Sequence, residues 1–322
     1  MQDIIEKLSV YGKGILAADE STPTIEKRLN SVGVDCTEGT RHSYRHTLFS
    51  ADRLEDYISG IILYDETIRN RDTIAPVFGK IPLGIKVDTG AKPYGDTCKL
   101  TEGLDGLTER LREYKILGAE FAKWRAVINI GDSGSCILAN AWHLARYAKK
   151  CQLEGVVPIV EPEVIMDGAH TIYDSVKITE RVLHHVFDAM FYEKVELEYM
   201  ILKPNMILHG YNYASSINSY EAAETTVSSF RRTVPAAVPM IAFLSGGQID
   251  GMAVKNLNAI NQYADTLGKP WYMSFSFGRE LQQNSLRLWA EGKKEEAMDA
   301  LLERANQCSL ATQGELHGTV NI

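Results

Sequence analysis

Residues 199–206 read Tyr-Met-Ile-Leu-Lys-Pro-Asn-Met, which sets Lys203 inside a short apolar run of strand character. An ammonium group there is poorly solvated, so it either pairs with an acid or loses its proton and becomes a nucleophile. Half-neutrality near pH 7 requires the amine pKa to fall by roughly three units from about 10.4, or about 4–5 kcal/mol. Burial beside a second cation supplies a shift of that size. Two more lysines occupy similar settings, Lys86 in Leu-Gly-Ile-Lys-Val-Asp (83–88) and Lys123 in Glu-Phe-Ala-Lys-Trp-Arg (120–125). The run Val-Pro-Ile-Val-Glu-Pro-Glu-Val (157–164) adds two carboxylates, Glu161 and Glu163. One buried ion is usually structural. Several at matching places in successive strands point to a reaction centre.

Working outward, runs of the same kind recur at 13–19, 58–64, 83–88, 120–128, 156–163, 199–205, 240–246 and 271–277. Helical periodicity fills most of the gaps, at 104–117, 137–153, 175–192, 220–233, 252–267, 280–290 and 294–308. Strand and helix alternating along a whole chain implies an α/β fold with a parallel sheet inside and helices outside. Eight such strands in 322 residues fit a closed (β/α)8 TIM barrel, with extra helices at both ends, better than a doubly wound sheet. No Gly-x-Gly-x-x-Gly follows the first strand, which weakens the dinucleotide-binding alternative. No linker or shift in composition divides the chain. Residues 1–322 are therefore expected to form one domain, with 315–322 as a short tail.

A 45% hydrophobic fraction with 24% charged residues suits a globule able to bury a full core. The net charge is −8 and no long basic block is present, which argues against nucleic-acid or anionic-membrane binding. No apolar run approaches the ~18 residues of a membrane span, and no secretory signal is visible. Cysteines at 36, 98, 136, 151 and 308 show no Cys-x-x-Cys spacing and read as reduced thiols. A cytoplasmic location is the expectation.

In such barrels chemistry gathers at the C-terminal ends of the strands. The first run ends in Asp19, followed by Glu20 and Ser21; the third carries Lys86, the fourth Lys123 and Arg125, the fifth Glu161 and Glu163, and the sixth Lys203. The i, i+2 spacing of Lys123/Arg125 and of Glu161/Glu163 puts each pair on one face of its strand. A layer of buried salt bridges is the competing reading, but buried pairs add little net stability over apolar replacements. Stability alone is weak reason for so many charges at one end. Ser245-Gly246-Gly247 and Gly278-Arg279 close the last two runs, where barrel loops commonly present N–H groups to a phosphate. Arg279 adds a planar, charge-assisted clamp. Metal and serine-nucleophile chemistry find little support: His184 and His185 face apart on a helix, and no Gly-x-Ser-x-Gly elbow occurs. The four tryptophans read as core or interface packing.

The ordered set Gly-Ile-Leu-Ala-Ala-Asp-Glu-Ser (14–21), Phe-Ala-Lys-Trp-Arg (121–125), Val-Pro-Ile-Val-Glu-Pro-Glu (157–163), Leu-Lys-Pro-Asn-Met (202–206), Phe-Leu-Ser-Gly-Gly-Gln (243–248) and Ser-Phe-Gly-Arg (276–279) resembles class I fructose-1,6-bisphosphate aldolase from about residue 11 to about residue 314. The resemblance implies that Lys203 forms a Schiff base with the ketose carbonyl and that Glu161 is the acid/base for carbinolamine dehydration. It implies that Asp19 takes the C4 hydroxyl proton, supported by Glu163, while Lys123 holds substrate hydroxyls and Arg125 orders the cluster. Ser245, Gly246, Gly278 and Arg279 would bind the C1 phosphate. Ser21, Thr24, Arg28 and Lys86 would bind the other, with Thr24 where a serine is common. Position alone does not choose Lys203 over Lys123; that choice comes from the resemblance.

The resemblance further implies no cofactor and no metal, since an iminium withdraws electrons as a metal would. It implies a sugar phosphate substrate, a homotetramer and, in some members, a cytoskeletal partner. Fructose 1-phosphate and sedoheptulose 1,7-bisphosphate are alternative ketoses. Family members commonly end in a mobile tail whose last residue is tyrosine, whereas 314–322 read Gly-Glu-Leu-His-Gly-Thr-Val-Asn-Ile. Slower turnover with cleavage chemistry retained is the expectation from that difference.

Overall fold

The computed structural model describes residues 1–95, 98–214 and 218–318. In chain order it runs α1 (Gln2–Leu8), β1 (Gly14–Ala18), α2 (Thr22–Ser31), α3 (Glu38–Phe49), β2 (Ile58–Leu63), α4 (Asp65–Arg69), α5 (Arg71–Ile74) and β3 (Leu83–Lys86). A hairpin follows, β4 (Ala91–Tyr94) and β5 (Cys98–Thr101), then α6 (Leu107–Ile116), β6 (Ala119–Ile128), α7 (Gly134–Leu153), β7 (Val157–Val164) and α8 (Ile172–Tyr192). The chain continues through β8 (Ile201–Leu202), α9 (Ser219–Thr233), β9 (Met240–Phe243), α10 (Met252–Leu267), β10 (Tyr272–Phe277), α11 (Arg279–Ala290) and α12 (Lys294–Thr312). Eight strands pair in parallel, in the order β1-β2-β3-β6-β7-β8-β9-β10, and close on themselves. The expected TIM barrel is present, with α1 before it and α12 after it.

The two-residue period of a strand explains both the core and the site. One parity, including Leu16, Ala18, Ile61, Ile85, Trp124, Val160 and Phe243, packs outward against the helices. The other, including Ile15, Ala17, Phe121, Val157, Ile159, Ile201 and Met240, fills the barrel interior. Ile5 and Leu8 of α1 join that inner cluster and plug the floor. Continuing the inner parity toward the C-terminal ends reaches Asp19, Lys123, Arg125, Glu161, Glu163 and Lys203. The same rows of side chains are therefore apolar at the floor and charged at the mouth.

Three expectations need correction. The run at 199–205 forms a strand only over Ile201–Leu202, so Lys203 lies just past a strand end and not in the middle of one. Its N–H still donates to the Val160 carbonyl at 2.8 Å. Pro204 follows and has no N–H to extend the ladder. The hairpin of β4 and β5 was not legible as strands. Third, Cys98 and Cys136 form a disulfide, Cα atoms 6.1 Å apart, while Cys36, Cys151 and Cys308 are free. The reduced-thiol reading fails for that pair because the hairpin carries Cys98 to the first turn of α7, a proximity that a separation of 38 residues does not announce. A compartment can no longer be argued from the cysteines.

Glycine sets the width of the barrel where Phe121 crosses it. A Cβ on Gly84 would lie 2.1 Å from a ring carbon of Phe121, and one on Gly60 2.5 Å from Leu8. Gly84→Ala is expected to cost about 1–3 kcal/mol through overpacking, read as a lower urea midpoint at unchanged slope. An unshifted midpoint would show that the floor yields.

Candidate active site

At the C-terminal mouth a cleft of about 490 Å³ is lined by every one of the fourteen residues singled out from the sequence. Its size suits a small molecule. A larger depression of about 810 Å³ beside it shares Arg28 and Arg279 but holds none of the lysines. We place the chemistry in the smaller one, because it alone contains buried charge.

The centre is a chain of ions. Lys123 Nζ lies 2.7 Å from Asp19 Oδ2 and 3.2 Å from Glu161 Oε2, and Lys203 Nζ lies 3.2 Å from Glu161 Oε1. One carboxylate therefore spans two ammonium groups. The side chains of Lys123, Glu161 and Lys203 are about 5% exposed or less. Glu161 Oε2 is within ion-pair range of Lys123 yet makes no aligned hydrogen bond, which leaves it a spare acceptor. β6 and β7 set this spacing: Arg125 is in register with Glu161, and Lys123 with Ile159. Lys123 and Glu161 come from paired stretches of β6 and β7, while Asp19 and Lys203 directly follow β1 and β8.

Burial alone would push protons onto the acids and off the amines. The fields inside the cluster outweigh it. Burial raises Asp19, but Lys123, Lys203 and Lys86 hold it well below the ordinary carboxylate range. Burial likewise opposes ionisation of Glu161, and Lys123, Lys203 and Arg125 bring its pKa down. For Lys123, burial is overcome by Asp19, Glu161 and Asp88, which drive its ammonium above the usual range. Lys123 is thus locked as a cation by several acids, whereas Lys203 has an ion pair with Glu161 alone among the described residues.

The flanks are also paired. Arg125 bonds Glu163 through Nε, and the neighbouring acids raise its pKa against the effect of burial. Lys86 bonds Asp88 and Arg28 bonds Glu20. Ser21 is the N-cap of α2 and its hydroxyl lies 3.1 Å from that of Thr24, so two hydroxyls at the start of a helix line the same cleft as Lys86. Across the mouth, Arg279 Nη2 donates to the Gly246 carbonyl at 2.6 Å, joining the loops after β9 and β10. Gly246 has φ +58°, a conformation glycine adopts freely.

Three lining residues were given no role in the sequence reading. Asp88 is buried, binds Lys86 and accepts the N–H groups of Gly90 and Arg125, each at 3.2 Å. Its i+2 spacing from Lys86 was the available signal. Glu20 carries Arg28, and its carbonyl accepts from Arg45. The Ser276 hydroxyl is buried in the cleft without a partner among the described residues. Trp142 is exposed and stacks on Tyr192, which leaves it the interface half of the core-or-interface reading. Among the described residues no group of three or more His, Cys, Asp or Glu side chains is arranged to hold a metal ion.

Comparisons with known proteins agree with this geometry. The family profile described as glycolytic, fructose-bisphosphate aldolase class I, matches residues 1–321. The chain is 48% identical to the "Probable fructose-bisphosphate aldolase class 1" of Xanthomonas campestris pv. campestris, over 95% of each chain. It is 49% identical to "Fructose-bisphosphate aldolase, cytoplasmic isozyme 2" of Pisum sativum, over 97% of this chain and 90% of that one. A solved Plasmodium falciparum fructose-bisphosphate aldolase, in complex with TRAP and a small-molecule inhibitor, superposes with a TM-score of 0.94 at 42% identity, covering 99% of this chain and 95% of the other. A lysine-rich barrel mouth whose sequence matches along nearly its full length leaves one assignment: the chain belongs to the class I fructose-bisphosphate aldolase family.

Proposed function

We propose that this lyase cleaves fructose 1,6-bisphosphate through a Schiff base on Lys203. The observation that carries the reading is the single Glu161 carboxylate shared by Lys203 and Lys123. Of the two amines, Lys123 is bound by both Asp19 and Glu161, so neutralising it costs more. Lys203 pairs with Glu161 alone among the described residues, and Glu161 Oε1 at 3.2 Å is within reach for proton transfer.

The neutral Lys203 amine attacks the C2 carbonyl, forming the N–C bond of a carbinolamine. Glu161 returns its proton to the departing hydroxyl, water leaves, and an iminium remains. Asp19, kept ionised by its lysine neighbours, accepts the C4 hydroxyl proton. The C3–C4 bond then breaks, its electron pair flows toward the iminium nitrogen, and glyceraldehyde 3-phosphate departs. Protonation of the resulting enamine at C3 and hydrolysis of the imine release dihydroxyacetone phosphate, returning the water lost earlier. Lys123 remains charged to hold substrate hydroxyls, and Glu163 with Arg125 orders the wall behind Glu161. Ser245, Gly246, Gly278 and Arg279 take the C1 phosphate. Ser21, Thr24, Arg28 and Lys86 take the second phosphate, which favours a bisphosphate over fructose 1-phosphate.

The same reading extends to a cytoplasmic enzyme, supported by the pea isozyme, and to a homotetramer. Exposed rings of Trp142, Phe191 and Tyr192 cluster where α7 meets the end of α8, an apolar surface suited to a second copy. A cytoskeletal partner is a further proposal, and it rests on the family resemblance. Among the described residues no helix is long and apolar enough to cross a membrane.

Borohydride reduction in the presence of fructose 1,6-bisphosphate should leave a stable three-carbon or six-carbon phosphate adduct on Lys203, read by peptide mass spectrometry. Lys203→Met should lower kcat by at least about a thousand-fold, and a chelator should leave activity intact. An adduct on Lys123 instead would overturn the assignment. Light scattering should give four times the chain mass, and a monomer would contradict the proposed assembly.

The charge chain also sets an acid limit. Asp19 and Glu161 have lowered folded values, so their contribution to stability is present above the unfolded carboxylate range near pH 4 and is lost as pH falls through the folded values. Lys123, whose value is raised, contributes fully below about pH 10.4 and loses that contribution as pH climbs further. Urea unfolding between about pH 3 and 7 should show stability falling more steeply toward acid in the wild type than in Glu161→Gln. Parallel curves would show that Glu161 is not held ionised.

A further inference from the structure

Tyr211 lies in the loop between β8 and α9, eight residues after Lys203, and nothing in the proposed chemistry uses it. Its placement is unusually well fixed. The loop is zipped by backbone hydrogen bonds to the one after β7: Gly210 N–H to His170 O at 3.0 Å, Tyr211 N–H to Met166 O at 2.9 Å, and Asn212 N–H to Gly168 O at 2.9 Å. The two backbones approach so closely that a Cβ on Gly210 would sit 2.3 Å from the Gly168 carbonyl oxygen. His209 accepts from the Ile172 N–H at 2.9 Å and stacks on Tyr213 with centroids 4.3 Å apart. Two βα loops together hold the one phenol.

That phenol reaches the loop after β9. Gly247 N–H donates to the Tyr211 hydroxyl at 3.0 Å. A Cβ on Gly246 would lie 3.1 Å from the same oxygen, so the hydroxyl sits against the Gly246 backbone. Arg279 grips the other side of Gly246 through its carbonyl. Tyr211, Ser245, Gly246 and Arg279 line one recess of about 140 Å³, which shares Ser245, Gly246 and Arg279 with the main cleft. Partial burial pushes the phenol up to about 12, so it keeps its proton at neutral pH. A hydroxyl that accepts from Gly247 still owns one hydrogen to donate. Among the described residues that hydrogen has no acceptor. Glu163 nearby is covered by Arg125, and Asp167 is exposed.

We propose that Tyr211 is a further substrate-binding residue, whose hydroxyl accepts the Gly247 N–H and donates its own O–H to an oxygen of the ketose C1 phosphate. The proposal rests on the reading in which Ser245, Gly246, Gly278 and Arg279 bind that phosphate. A phosphate oxygen is a charged acceptor, so the bond belongs to the stronger class. Loss of the hydroxyl also leaves the Gly247 N–H without its partner.

Tyr211→Phe keeps the ring that packs on Gly247 and removes only the hydroxyl; Tyr211→Ala removes both. Steady-state kinetics on the full chain should compare fructose 1,6-bisphosphate with fructose 1-phosphate, which share the C1 phosphate. In Tyr211→Phe the KM for both is expected to rise by about ten-fold, with kcat falling much less than KM rises. Unchanged KM for both ketoses overturns the proposal, and so does a rise confined to the bisphosphate, which would put the hydroxyl at the other phosphate. A matched loss of kcat and thermal midpoint in Tyr211→Phe would show a purely structural role and also overturns it. Calorimetric binding of dihydroxyacetone phosphate needs no turnover and separates this idea from the lysine chemistry: equal affinities of wild type and Tyr211→Phe reject the Tyr211 contact, whereas absence of a borohydride adduct on Lys203 rejects the mechanism.

Discussion

One carboxylate held between two ammonium groups organises this molecule. Glu161 is too deeply buried to be solvated, so it stays ionised only while Lys123 and Lys203 stand on either side of it. Lys123 in turn is shared with Asp19, and the charges in this group of four balance. Removing one member exposes the others to the full desolvation penalty of a buried unpaired ion, several kcal/mol. Stability would be served as well by apolar side chains at the same positions. The charges make chemical sense instead as a proton inventory in which each group has a defined partner before a ligand arrives.

The barrel supplies what such an inventory needs. Side chains projecting from neighbouring parallel strands have their spacing fixed by hydrogen-bond register, as Arg125 beside Glu161 shows. The same inward parity that packs Phe121 and Ile159 at the floor delivers Lys123 and Glu161 at the mouth. Loops then add cationic and hydroxyl-bearing side chains around the mouth. They gather Ser21, Thr24, Arg28 and Lys86 in one cleft with Ser245, Gly246 and Arg279, and a Cβ on Gly278 would lie 3.6 Å from Arg28 Nη2. In the proposed chemistry these groups receive the two phosphates of the ketose.

Much of this was legible in the sequence, because inward-facing charges at strand ends break the apolar pattern that surrounds them. Lys123, Arg125, Glu161 and Glu163 announce themselves by i+2 spacing within a strand, and period two is a local property. What stayed hidden depended on contacts between distant segments. Cys98 meets Cys136 only because a hairpin folds across to α7, and nothing in the run 91–101 alternates cleanly enough to read as two strands. Asp88 looked like the polar end of a strand, and its role as partner of Lys86 and of the Arg125 N–H appears only in three dimensions. Position in the barrel did not separate Lys203 from Lys123, and that choice came from the family resemblance; that Lys123 pairs with two acids and Lys203 with one appears only in three dimensions. The expected closing tail falls partly on residues 319–322, outside those described.

The plug formed by Ile5 and Leu8 has a bearing on traffic. Among the described residues α1 stoppers the floor and Phe121 packs it, so the cleft opens at the charged mouth. In the proposed chemistry one fragment stays covalently tethered to Lys203 while its aldehyde counterpart is free. The tether therefore imposes an order of exit at that mouth: the untethered piece departs first, and the anchored piece follows once water has entered.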